Sequence, residues 1–167
     1  MKVGFSLIEL VIVMLLTAIL GLFLATAISN GVDAWYFVMD KNELMTQTPY
    51  SLNRIARELR QIKDLKSVYA ASSNSITFTD TNSVSITYNL SSNTVYRNSN
   101  VLIDGVTSFS LLYYDANGNI IASPVVNPAN TNIRRIKVSI TTQKGSNSLS
   151  METIVRPRNL SLVGAQN

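Results

Sequence analysis

Residues 10–28, LVIVMLLTAILGLFLATAI, form an apolar run interrupted only by Thr17, Gly21 and Thr26, and no residue between Glu9 and Asp33 carries a charge. As an α-helix at about 1.5 Å per residue the run measures roughly 28 Å, close to the hydrocarbon thickness of a bilayer. A helix in water needs a polar face, and this one has none. The stretch therefore predicts a membrane span. The alternative is a cleaved secretory signal, with Lys2 as a minimal basic region. Such a signal has a shorter apolar core, of about 7 to 15 residues, and ends in an A-x-A-like site. Here TAISNGVDAW runs straight on into more helical pattern.

Composition agrees with one membrane-associated domain. At 167 residues and 18.4 kDa the chain has room for a single globular core. Hydrophobic residues reach 46% against 14% charged, too apolar for a disordered chain and for a wholly water-soluble one. There is no His and no Cys, which excludes His-based proton relays, thiol nucleophiles, disulfides, iron–sulfur clusters and ordinary zinc sites. Without His no Ser-His-Asp triad can be built, and neither G-x-S-x-G nor a phosphate-binding loop is present. The expectation is a protein without enzymatic activity or cofactor. The net charge of +4 is a mild basic excess that does not by itself call for nucleic acid.

Immediately before the span stands MKVG-FSLIE. This resembles the N-terminus of type IV pilins and pseudopilins: a short basic leader ending in Gly, then Phe, a Ser or Thr, aliphatic residues, a Glu, and the apolar helix. The resemblance implies that a membrane-embedded prepilin peptidase cuts after Gly4 on the cytoplasmic side and methylates the new amine of Phe5. Residues 1–4 would be removed and residues 5–28 would be the membrane-spanning and filament-core helix. Gly4 suits such a site because a residue without a side chain lets the backbone lie close to catalytic groups. Glu9 is the odder residue, since a carboxylate in a hydrophobic segment costs about 2.5 to 3.5 kcal/mol and normally has a partner. In the family the matching Glu is thought to meet the N-terminal amine of the neighbouring subunit, and a buried ion pair is a reasonable device for fixing register. Snorkelling of Glu9 to the headgroup boundary without a partner is the plainer alternative.

Helical pattern continues through residues 29–66. Val32, Trp35, Tyr36 and Met39 form one apolar stripe, and Leu52, Ile55, Ala56, Leu59 and Ile62 form a second. The opposite face of the second stretch carries Arg54, Arg57, Glu58, Arg60, Lys63 and Asp64, with Arg54–Glu58 and Arg60–Asp64 at i,i+4 spacing. Pro49 should kink or break the helix near Thr48. Trp35 and Tyr36 are either interfacial aromatics or cover for the sheet or a neighbouring subunit.

Beyond residue 67 the period switches to alternation. Residues 75–80, 83–89, 94–97, 106–115, 133–142 and 149–155 read as antiparallel strands, separated by turn-rich linkers at 115–119, 124–132 and 144–148. The expected fold class is α+β, a long N-terminal helix whose second half packs on an antiparallel β-sheet formed by residues 67–167. This layout is the one that the resemblance to pilins also implies. The segment LIDGVTSFSLLYYDANG, with RRIKVSITT and METIVRP after it, is similar to W-type minor pilins and to J-type minor pseudopilins of type II secretion. The implied partners are prepilin peptidase, major and minor pilin or pseudopilin subunits, the inner-membrane assembly platform and, before assembly, the lipid bilayer. The implied location is a single pass through the cytoplasmic membrane with the C-terminal part outside the cytoplasm, followed by incorporation into a filament.

Two further clusters have simpler explanations than ligand binding. Asp115, Asn117 and Asn119 around Gly118 resemble the start of a calcium loop, but the downstream bidentate Glu is missing and a hairpin turn accounts for them. Arg134, Arg135 and Lys137, with Arg156 and Arg158, could meet DNA phosphates. On an alternating strand Arg135 and Lys137 share one face, opposite Ile136, Val138 and Ile140, so a solvated sheet face explains them. Two function classes follow: a structural subunit of a pilus or pseudopilus, and a permanently anchored adhesin or receptor whose sheet domain binds a ligand.

Overall fold

A computed structural model describes residues 6–125 and 132–160. One long helix, α1 (Leu7–Arg60), precedes nine strands: β1 (Val68–Ala71), β2 (Ser75–Thr79), β3 (Ser85–Ser91), β4 (Thr94–Arg97), β5 (Asn100–Ile103), β6 (Val106–Tyr114), β7 (Ile120–Ile121), β8 (Arg135–Lys144) and β9 (Asn147–Val155). The chain divides into two compact units, Met1–Met39 and Asp40–Asn167. The first is the apolar part of α1. The second contains the rest of α1, both sheets and, among the described residues, the whole buried core, from Leu44 to Leu160.

Within Asp40–Asn167 the expected stripe is the face that packs. Leu52, Ile55, Ala56 and Leu59 are buried, and Ile62 joins them just past the helix. Pro49 does not end the helix, which runs through it to Arg60. Its missing N–H costs one intrahelical bond, but Leu44, Thr48, Ser51 and Leu52 around it are buried, so packing holds the turn. The Thr48 and Thr142 hydroxyls, both fully buried, meet at 2.8 Å and tie this turn to β8. The helix stops six residues short of the expected limit of 66. Asp64 therefore lies beyond the helix, at the start of a short 3-10 turn, Leu65–Ser67, where its carboxylate makes no capping bond to the turn's backbone and accepts from the Ser67 Oγ side chain at 2.7 Å. No ion pair with Arg60 forms among the described residues.

The expectation of one sheet is corrected to two. β1-β2-β3-β4-β5 form a five-stranded antiparallel sheet and β7-β6-β8-β9 a four-stranded one. β1, β5 and β7 are additional to the expected strands; all have four residues or fewer, too short for alternation to register. The chain passes between the sheets at Asp104–Gly105. Gly105 has φ +62°, and a Cβ there would lie 2.8 Å from the carbonyl oxygen of Gln143. The same turn receives a hydrogen bond from Gln143 N to Gly105 O at 2.8 Å. Both a left-handed backbone and a rigid neighbour thus demand glycine. Gly105→Ala is expected to cost about 1 to 3 kcal/mol, read as a lower Tm of the detergent-solubilised chain. The sheets are also stitched along β6, whose Val106 N and Leu111 N donate to Asn93 O and Ser73 O. Ile76, Phe78, Ile86, Tyr88 and Val95 of one sheet and Phe109, Leu111, Ile136, Val138 and Ile140 of the other complete the core with the helix face.

Candidate functional site

The residues of α1 up to Met39 present apolar side chains on every side. Leu7 is 82% exposed, Phe23 69% and Trp35 68%, and no residue of the core lies in this segment. Val32, Trp35, Tyr36 and Met39, expected as a packing stripe, are exposed too. The helix is long and apolar enough to cross a membrane. Two of its polar side chains, Thr17 and Thr26, are satisfied within the helix. Thr17 Oγ1 donates to the carbonyls of Val13 and Met14, each at 3.0 Å, and Thr26 Oγ1 to Leu22 at 3.1 Å and Phe23 at 2.9 Å. Each hydroxyl is thus satisfied by its own helix and exposes no unpaired donor. Gly21 and Gly31 have nothing within 4 Å of a built Cβ, so nothing in the chain itself demands glycine at either position.

Of the residues singled out from the sequence, Gly4 and Phe5 lie outside the described residues. Glu9 sits in the first turn of α1, exposed, its N–H bonded to Ser6 O at 3.1 Å. A carboxylate there complements the positive end of the helix dipole. The Asp115–Asn119 stretch is the turn between β6 and β7. Asp115 Oδ1 accepts from the N–H of Asn117 at 2.9 Å and of Asn119 at 2.8 Å, and Oδ2 from Asn119 Nδ2 at 3.0 Å. These bonds, led by that from the Asn119 side chain, hold the carboxyl below the usual carboxylate range. The carboxylate closes its own turn.

Arg135 and Lys137 share the outer face of β8, with Ile136, Val138 and Ile140 buried beneath, as alternation requires. Lys137 Nζ pairs with Glu152 at 2.7 Å and Arg135 lies over the Tyr114 ring, 5.6 Å from its centroid. Lys144, at the far end of β8, pairs with Glu43.

The most heavily bonded charged group was only half legible in sequence. Glu58 does pair with Arg54 at 3.3 Å, as the i,i+4 spacing predicts. It also accepts from Tyr88 Oη at 2.6 Å and from Arg97 Nε at 2.8 and 3.1 Å. These partners lie 30 and 39 residues away in the chain, and no local pattern could link them to a helical Glu. Burial pushes the Glu58 carboxyl up, but the Tyr88 and Arg97 hydrogen bonds and the Arg97 charge outweigh it and hold the group below its ordinary value. Tyr88 is pushed up by burial and by the carboxylate it meets. The cluster clamps α1 to β3 and β4. Comparison with protein-family models, with curated proteins and with solved structures finds no match to this chain.

Proposed function

We propose that this protein is a structural, non-enzymatic subunit of a type IV pilus or type II secretion pseudopilus, of the minor kind. The single observation that carries this reading is the sequence MKVG-FSLIE joined directly to an apolar helix that leaves all its side chains exposed. Such a helix needs either lipid or other helices around it, and a filament core supplies the second after the bilayer has supplied the first. An α+β layout with one long N-terminal helix and antiparallel sheets is compatible with a pilin-like fold. In this reading prepilin peptidase cuts between Gly4 and Phe5, Phe5 is N-methylated, and Glu9 sets register by meeting the amine of a neighbouring subunit.

The test is the N-terminal peptide of the membrane-extracted chain, determined by mass spectrometry from cells with and without the peptidase. A methylated Phe5 only where the peptidase is present supports the proposal. An intact Met1 in both samples overturns it in favour of a permanently anchored binding module. For Glu9→Gln we expect normal cleavage and membrane insertion but at least tenfold less protein in sheared filaments, since the ion pair is lost while the helix is not. Wild-type recovery of that variant would remove Glu9 from the assembly mechanism.

A further inference from the structure

The arginines of this chain are not distributed like its lysines. Arg54 and Arg97 are spent on Glu58, and Lys137 and Lys144 on Glu152 and Glu43. The remaining arginines line two cavities. Arg134, Arg135 and Arg156, with Asp115 and Ala116, surround one of about 460 Å³. Arg57, Arg60 and Arg158, with Gln61, Thr81 and Asn159, surround another of about 460 Å³. Arg156 and Arg158 flank Pro157, so the chain leaving β9 contributes one guanidinium to each. Among the described residues, the arginines of the first cavity and Arg57 and Arg60 of the second form no ion pair, and the one carboxylate lining either cavity, Asp115, is engaged in its own turn. Arg134 Nη1 is moreover buried and finds no acceptor, a cost that folded proteins avoid unless something else supplies the acceptor.

We infer that this arginine-lined surface docks a carboxylate-rich face of a different protein subunit, the guanidinium forks taking Asp or Glu side chains. The inference rests on the proposed role as an assembled subunit and names the chemistry of one neighbour. Guanidinium matches carboxylate in a planar, bidentate geometry that ammonium does not offer, which accounts for arginine rather than lysine at these cavities. A second copy presenting the same surface would be repelled, so a symmetric pairing through it is excluded. Nucleic acid fits less well. Single strands are held by a continuous basic groove with aromatic rings that stack on bases. Here the two arginine-lined depressions have no aromatic lining, and Arg135 itself covers the Tyr114 ring.

The test uses the full chain in detergent micelles and three probes at equal ionic strength: a fluorescent polyglutamate peptide, a short DNA duplex and inorganic phosphate. Expected is saturable binding of polyglutamate that weakens with salt, and weakens about tenfold or more in Arg134→Gln with Arg156→Gln, the size of a lost hydrogen bond to a charged group. Lys137→Gln with Lys144→Gln removes the same formal charge elsewhere and should change binding less than about twofold. Arg156 is exposed, so Arg156→Gln alone provides a variant whose fold is unaffected. Equal losses from the lysine and arginine variants would overturn the inference by reducing it to net charge. Tighter binding of the duplex or of phosphate than of the peptide would overturn the choice of carboxylate. Failure here with a methylated Phe5 sinks the docking surface alone, whereas an unprocessed N-terminus sinks the subunit reading beneath it.

Discussion

Glu58→Ala is expected to lower stability by about 3 kcal/mol or more, because it leaves one buried hydroxyl and a half-buried guanidinium without their acceptor. The Glu58 side chain is only 12% exposed and Arg97 22%, so water restores little of what is lost. For a unit of this size the loss should appear as a fall in Tm of about 10 °C. Tyr88→Phe removes one of the bonds and leaves the ion pairs, and should cost about 1 kcal/mol. The pH dependence has a definite sign. The Glu58 carboxyl is held below its ordinary value of 4.5 in the folded chain, so below that value the unfolded state binds more protons. The stabilisation is complete above the ordinary value and is lost as pH falls through the lower, folded one. Glu58→Gln carries no titrating group there. Its melting temperature should lie below wild type at pH 7, and the gap should narrow on acidification. A constant gap from pH 7 to pH 3 would show that charge contributes nothing to the clamp.

A chain beginning at Asp40 is expected to fold and to stay in solution without detergent, while the full chain requires it. Among the described residues every buried hydrophobic side chain lies between Leu44 and Leu160, and those before Asp40 contribute none. Their removal takes away an exposed apolar surface that water does not tolerate and leaves the Glu58 clamp, the Thr48–Thr142 contact and both sheets intact. Cooperative melting of the shortened chain in plain buffer, within a few degrees of the detergent-solubilised parent, is the expected result. Aggregation or non-cooperative melting would mean that the apolar segment stabilises the sheet domain after all. If the proposed subunit role holds, the shortened chain, which lacks Phe5 and Glu9, should also be absent from filaments and from the membrane fraction.

Physical range separates what was legible in the sequence from what was not. The apolar helix declares itself in residues 10–28 because a membrane span needs nothing beyond its own composition and length. The stripe at Leu52, Ile55, Ala56, Leu59 and Ile62 and the alternation along β8 were legible for the same reason: each is a local period that sorts one face from the other. The Arg54–Glu58 pair is likewise local, one helical turn apart.

Other features depend on residues far apart in the chain meeting. The division into two sheets turns on Gly105, whose neighbour is the carbonyl of Gln143. Helix continuity through Pro49 rests on burial of Thr48 against Thr142, a tertiary contact that outweighs a local breaker. Glu58 gained Tyr88 and Arg97 only when β3 and β4 came up against α1, and the arginines at 57, 60, 134, 135, 156 and 158 became two lined cavities only when the ends of α1, β8 and β9 were brought to them. Sequence by itself determined the membrane-length helix, its amphipathic continuation and the α+β class, since those follow from period and composition. Only the tertiary structure decided which charges meet a partner within the fold and which are gathered at its surface, because electrostatic partners are chosen by distance in space and not along the chain.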